Sequence, residues 1–234
     1  MEYKLVEEGE KDTFDYCLYF YKDDEKISPW HDIKLFVEEE TLICNMIIEI
    51  PKNTRKKMEI NKETKNNPIK QDVKNGKLRE ISMDYPFNYG ALPQTWESPN
   101  FKDKFVGYFG DNDPLDACDI SELDEKYQAY VGEVKQVKII GCYAMVDKKD
   151  DEYEADWKII CLDIRDPLAE KINNVKDLMD LIPERIEKCF NFLRDYKIPE
   201  GKGQNKFCFD NQLLDKDKAL EIIKCANLQW IQYD

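Results

Sequence analysis

Apolar and polar residues alternate along several stretches of the chain. In "TLICNMIIEI", Leu42, Cys44, Met46 and Ile48 recur at every second position, the period of a strand with one buried face. The preceding "IKLFVEEE" reads as the other arm of a hairpin turning at Glu38 to Glu40. "NNPIKQDVKNGKLRE" carries Asn75-Gly76, a pair suited to a tight turn, and leads to another strand. "VGEVKQVKIIGCYAMV" and "WKIICLDI" predict two further strands, separated by an acidic loop from Asp147 to Asp156. The first thirty residues mix charge with aromatics and read as strand or extension. The period then changes. Val175, Leu178, Leu181 and Ile182 share one helical face, and Pro183 opens a second segment in which Ile186, Phe190 and Leu193 do the same. "DKDKALEIIKCANLQW" predicts a last amphipathic helix.

Strands first and helices last imply an α+β fold with a mainly β core, or a small closed barrel with helices packed outside. No repeat, low-complexity tract or linker splits the sequence. Residues 1–234 therefore read as one domain, with 1–26 as an N-terminal extension or strand.

Composition narrows the function. A chain of 234 residues that is 42% hydrophobic and 12% aromatic supports a real core. Its net charge of −14 disfavours nucleic acid and anionic membrane as partners. A small anionic ligand would need metal ions and a local basic cluster to overcome that field. The eight cysteines include no C-x-x-C pair, and the opening "MEYKLVEEGE" is acidic without an apolar stretch. Small buried thiols in a reducing cytoplasm are expected. With His31 the only histidine, a zinc-type ligand set or a histidine triad is not expected. No apolar run reaches membrane-spanning length.

The densest chemistry lies in "FGDNDPLDACDI", where Asp111, Asp113, Asp116 and Asp119 fall among apolar positions. Partly buried carboxylates this close repel one another, and a cation keeps them ionised. All-oxygen donors suit Mg²⁺, Mn²⁺ or Ca²⁺. A calcium-binding EF-hand fails on two counts. Its sixth position, which needs glycine, is Asp116, and no helical period precedes the loop. Asp119 is read as capping only a turn. Lysines, arginine and tyrosines recur in comparable settings at Lys57, Arg79, Tyr85, Tyr89, Tyr196 and Lys197, and further acids at Glu59, Asp147 and Asp156. Many carboxylates with several cations and phenols suggest a metal-loaded polyphosphate site.

"GDNDPLD" (110–116) resembles the signature of the soluble family I inorganic pyrophosphatases. So do "ISPWHDI" (27–33), "NMIIEIP" (45–51), "NPIKQD" (67–72), "FNYGALPQTWE" (87–97), "DWK" (156–158) and "YKIPEGK" (196–202), all in family order. The block from "ISPWHDI" is closest to the eukaryotic branch, whereas the short "DYPFNYG" is more like the bacterial one.

The resemblance implies a five-stranded, OB-like closed β-barrel with flanking helices. It implies Mg²⁺-dependent hydrolysis of pyrophosphate to two phosphates, with Mn²⁺ or Zn²⁺ as substitutes and Ca²⁺ as an inhibitor. On it, Asp111, Asp116, Asp156, Asp147 and Glu59 would hold metals. Asp113 would be the general base and Tyr85 the proton donor. Lys57, Arg79, Tyr89, Lys158, Tyr196 and Lys197 would bind the phosphoryl groups, with Glu49 behind them. A homodimer without nucleic-acid or membrane partners would follow. Two departures stand out. The 147–156 segment is longer and more acidic than usual, so Asp150 or Asp151 could replace Asp147 as ligand. Lys52-Asn53 stands where fungal and animal relatives tend to carry the Arg-Trp that helps form their dimer.

Overall fold

The computed structural model describes residues 3–38, 40, 42–149 and 152–233. In chain order the strands are β1 (Lys4–Glu8), β2 (Cys17–Lys22), β3 (Glu25–Ile27), β4 (Phe36–Glu38), β5 (Ile43–Ile50), β6 (Met58–Ile60), β7 (Ile69–Gln71), β8 (Val73–Lys74) and β9 (Lys77–Leu78). They continue with β10 (Asn88–Ala91), β11 (Phe109–Gly110), β12 (Asp116–Asp119), β13 (Val134–Lys149), β14 (Glu152–Asp163), β15 (Lys206–Phe207) and β16 (Leu214–Asp215). The helices are α1 (Val175–Leu181), α2 (Pro183–Asp195) and α3 (Lys216–Ile231). The molecule is mostly β with a few helices.

Five strands pair in a ring. β14 lies parallel to β12, and antiparallel pairs join β12 to β10, β10 to β5, β5 to β13 and β13 back to β14. The β4–β5 hairpin forms as the alternation predicts, although Glu39 and Thr41 lie outside the described residues. Asn75 and Gly76 turn between β8 and β9 with φ of 53° and 71°. The N-terminal stretch resolves into β1, β2 and β3, which form a second sheet with β7 and β6.

One expectation is corrected. The described residues of the acidic stretch from Asp147 to Asp156 are strand: β13 extends to Lys149 and β14 begins at Glu152, pairing Asp147 with Glu154 and Lys149 with Glu152. Backbone pairing is indifferent to side-chain charge here, because Asp147, Glu152 and Glu154 all keep access to solvent. Asp150 and Asp151, the alternative ligands, lie outside the described residues.

The period of two divides each ring strand into two faces. Met46, Ile48, Ala117, Val137, Ala144, Trp157 and Ile159 form one cluster, which α3 joins with Ala219, Ile222 and Ile223. Tyr89, Cys118, Tyr143, Ile160 and Leu162 belong to another, packed by Leu178 of α1 and by Ile186 and Phe192 of α2. Pro183 opens α2 as the sequence predicts, and α1 starts at a capped turn in which Asn174 Oδ1 accepts from the Asp177 amide at 2.9 Å. Gly90 lets β10 approach β5 closely, since a Cβ there would sit 1.9 Å from the Ile47 carbonyl oxygen.

Asp119 also departs from expectation. It accepts from the Ser121 amide at 3.1 Å, as a turn cap would. It is also fully buried and holds Lys135 Nζ at 2.5 Å and Asn88 Nδ2 at 3.0 Å. Lys135 Nζ lies 2.9 Å from Asp163 as well. This network ties β10, β12, β13 and β14 together, and Asp119 does not line the acidic cleft.

Candidate active site

The functional side chains come from the strand positions that alternate with the apolar ones. In "ADWKI", Ala155, Trp157 and Ile159 pack into the cluster shared with α3, so Asp156 and Lys158 face the other way. Asp116, the first residue of β12, is in register with Lys158 on the parallel neighbour β14, and their side chains meet. Glu49 on β5, Tyr89 on β10 and Asp147 on β13 reach the same side. Tyr196 and Lys197 arrive from the C-terminal end of α2, where Tyr196 stacks on Phe192 with ring centroids 5.4 Å apart.

The loop between β11 and β12 is folded by its own polar atoms. The Asp113 amide donates to Asp111 Oδ1 at 2.9 Å, and Asn112 takes the left-handed conformation at φ 74°. The segment 92–98 clamps it from behind. Glu97 N–H donates to the Asp113 carbonyl at 2.9 Å, and Asn112 N–H donates to the Glu97 carbonyl at 2.8 Å. Gly110 passes so near that a Cβ would lie 2.2 Å from the Glu97 carbonyl atoms.

The result is a cleft of about 670 Å³. All fourteen candidates line it: Glu49, Lys57, Glu59, Arg79, Tyr85, Tyr89, Asp111, Asp113, Asp116, Asp147, Asp156, Lys158, Tyr196 and Lys197. Charges pair across it. Lys158 bonds Asp116, Asp156 and, at 3.1 Å, Tyr89 Oη. Lys57 donates to Glu59 at 2.7 Å and Arg79 to Asp72 at 2.9 Å. Lys197 Nζ lies 2.5 Å from Asp147 Oδ1, an ion pair outside hydrogen-bond angles.

Two groups that the sequence did not single out also belong here. Lys62 bonds both the Asp113 carboxylate and the Asn112 carbonyl. Glu97 lies behind Asp111 and Asp156, with one carboxylate oxygen of each residue within 4.8 Å of the others. Glu97 ends the quoted "FNYGALPQTWE", and a single buried acid closing an apolar run was its only signal.

Burial strains the carboxylates. It pushes the Glu49 carboxyl up to about 8, against the pull of Lys57, although the Ile60 amide donates to Oε1 at 2.8 Å. It pushes Asp156 up to about 6, against Lys158. Asp111 and Glu97 are held well above the usual carboxylate range, first by burial and then by neighbouring aspartates. Burial also raises the phenols of Tyr85, Tyr89 and Tyr196, so each keeps its proton at neutral pH. Burial opposes the charge on Lys158, yet Asp116 and Asp156 outweigh it and hold the ammonium above its ordinary value. For Lys197 burial wins and the ammonium is lowered, although its charge still outweighs burial at the half-buried Asp147 and pulls that carboxyl down.

Oxygen donors dominate, and the raised carboxyls mark a shortage of positive charge. Both features fit hard divalent cations. The cations and phenols around them fit the remaining oxygens of a phosphoryl group.

Comparison with known proteins agrees with this chemistry. A family model described as inorganic pyrophosphatase matches residues 46–231. The chain is 47% identical to an inorganic pyrophosphatase of Dictyostelium discoideum over 230 residues, spanning 98% of this chain and 80% of that protein. It is 45% identical to one of Candida albicans, spanning 96% of this chain and 77% of the other. Among solved structures, inorganic pyrophosphatase from Schistosoma japonicum superposes with a TM-score of 0.91 at 38% identity, covering 98% of this chain and 80% of that one. Type I inorganic pyrophosphatase from Toxoplasma gondii gives 0.89 at 34% identity, covering 99% of each.

Proposed function

The chain belongs to the inorganic pyrophosphatase family and hydrolyses inorganic pyrophosphate to two orthophosphates; from that premise we propose how its own residues divide the work. The observation that carries the proposal is the convergence of all fourteen candidate side chains on one cleft. Asp111, Asp116 and Asp156 would hold one divalent cation, with Asp116 also available to a second. Asp147 and Asp156 would serve a cation accompanying the substrate, and Glu59 a further one. Mg²⁺ is the cation that this all-oxygen donor set suits best. Such ions, when bound, neutralise phosphate charge and acidify the attacking water.

Asp113 takes the proton from that water, and Lys62 keeps its carboxylate aimed. Lys57, Arg79, Lys158, Tyr89, Tyr196 and Lys197 bind phosphate oxygens, where charge stabilisation dominates the barrier. Tyr85, whose burial keeps its proton in place, donates to the leaving phosphate. Glu49 binds the Ile60 amide and so fixes β6, which carries Glu59 and follows directly on Lys57.

The ring of β14, β12, β10, β5 and β13 is read as an OB-like closed barrel within one domain, a reading supported by its returning strand pairing. A cytoplasmic homodimer completes the proposal. Eight free thiols support the reducing compartment, and the net charge of −14 supports the exclusion of nucleic acid. No helix among the described residues is long and apolar enough to cross a membrane.

The test is phosphate release from pyrophosphate in Mg²⁺, in Ca²⁺ and with chelator. Turnover in Mg²⁺ alone, lost in both Asp113→Asn and Asp116→Asn, is expected. Full turnover in either folded variant would remove the assigned roles.

A further inference from the structure

Glu97 is 6% exposed, and its two carboxylate oxygens have different fates. Oε1 accepts from the Trp157 amide at 3.0 Å. Oε2 is buried without a hydrogen-bond partner among the described residues. The carboxylate group faces those of Asp111 and Asp156, with one oxygen of each residue within 4.8 Å of the others. Lys158, the cation of this corner, bonds Asp116, Asp156 and Tyr89 and does not bond Glu97. A buried carboxylate beside two further acids is costly unless a proton or a cation meets it.

The position of Glu97 is fixed from three directions. Its amide and carbonyl are bonded to the 111–113 loop, and its side chain is bonded to β14. The Gly110 backbone passes against its carbonyl with no room for a Cβ. The backbone of Glu97 is therefore held against the loop that carries Asp111 and Asp113, and its buried side chain against β14. A structural acceptor for one amide needs a single oxygen, and a glutamine or a hydroxyl would provide it. The second oxygen, buried and bare in a side chain that neighbours two further acids, has no such use.

We propose that Glu97 supplies a carboxylate oxygen to the innermost divalent-cation site, opposite Asp111 and Asp156. The proposal rests on the metal-dependent reading above and adds a ligand to it. Oxygens about 2.1 Å from one octahedral Mg²⁺ stand roughly 3–4 Å apart, so the three carboxylates close on a single ion through side-chain shifts of about an ångström.

The experiment is a Mn²⁺ titration of the chelator-treated full chain, followed by calorimetry and by the spin signal of free Mn²⁺. Glu97→Gln keeps the volume and the oxygen that accepts from Trp157 but removes the charge. Its tightest Mn²⁺ site weakens at least about 10- to 100-fold, the loss that removing an outer-shell partner of a metal ligand already brings. A variant matching wild type in affinity and stoichiometry overturns the proposal, whatever its melting temperature. Should Glu97→Gln not fold, Glu97→Asp takes its place. Drawing the carboxylate back by one methylene weakens the same site if Glu97 is a ligand, and leaves it unchanged if Glu97 only accepts from Trp157. Failure of the underlying metal reading looks different: wild type and Asp111→Asn then bind Mn²⁺ alike, or not at all.

Discussion

Glu49 offers a prediction whose size follows from its surroundings. It is 5% exposed, and burial raises its carboxyl from an ordinary 4.5 to about 8. The folded protein therefore holds a proton on Glu49 across a pH range in which the unfolded chain has lost it. More protons bound in the folded state make unfolding harder as pH falls and easier as pH rises. The destabilisation is absent below the unfolded value, grows from about pH 4.5 to 8, and is complete above 8. At about 1.4 kcal/mol per pH unit the ceiling is roughly 5 kcal/mol, and relaxation of the site reduces this to a few kcal/mol. Glu49→Gln keeps the acceptor for the Ile60 amide and cannot ionise. In chelator, urea denaturation at half-unit pH intervals is expected to show wild type losing stability relative to Glu49→Gln between pH 5 and 8, with equal stabilities near pH 4. Parallel curves across that range would refute the reasoning. The difference between the two proteins is the informative quantity, because Asp156, raised to about 6, contributes to both.

Other outcomes follow from single contacts. Lys62→Met frees the Asp113 carboxylate and the Asn112 carbonyl, and it lowers kcat about 10- to 100-fold with a smaller change in KM; a wild-type kcat in steady-state phosphate release would contradict this. Lys135→Met strips the cation from buried Asp119 and costs about 3–5 kcal/mol in urea denaturation. Adding Asp119→Asn to it restores part of that loss, and strict additivity of the two changes would count against the pairing. Gly110→Ala drives a methyl into the Glu97 carbonyl, costing at least about 1–3 kcal/mol and reducing turnover by displacing the 111–113 loop; an unchanged melting temperature would show that the approach is looser than described.

What the sequence disclosed, and what it withheld, have physical reasons. The ring strands were visible as alternating or near-continuous apolar runs, as in Leu42 to Ile48 and in "WKIICLDI", whose opposite faces enter different core clusters. The same alternation that buries Trp157 and Ile159 exposes Asp156 and Lys158 to the cleft, so strand period and site membership were one signal. Helices α1 and α2 were separable because Pro183 starts the second. The β13–β14 tip was misread because its charge resembled a loop, while its geometry is set by cross-strand backbone pairing that charge does not report. Lys62 looked like any solvated lysine after a short strand. Its partner Asp113 lies 51 residues further along, and only the fold brings the two together. Asp119 looked like a turn residue because its fully buried partner, Lys135, belongs to a strand that sequence gave no reason to place beside it.

The cleft also explains how a chain of net charge −14 takes an anionic substrate. Its lining among the described residues carries eight Lys and Arg side chains against nine Asp and Glu side chains, so it is nearly balanced while the surface elsewhere is strongly acidic. Balance alone does not bind phosphate. Lys57 is held by Glu59, Lys62 by Asp113, Arg79 by Asp72, Lys158 by Asp116 and Asp156, and Lys197 by Asp147. Each cation turns toward a phosphoryl oxygen only when the charge of its acidic partner is met by something else. Divalent cations at Glu59, Asp116, Asp156 and Asp147 would do this and free Lys57, Lys158 and Lys197 in the same act, so cation and anion binding are coupled through shared partners. The coupling predicts that inorganic phosphate binds chelator-treated protein weakly and that Mg²⁺ tightens it. A competing monovalent salt cannot substitute, because screening weakens the ion pairs and the phosphate contacts together. Equal phosphate affinity with and without Mg²⁺, measured by calorimetry, would mean that the lysines are already free and that the ion pairs seen across the cleft do not restrain them.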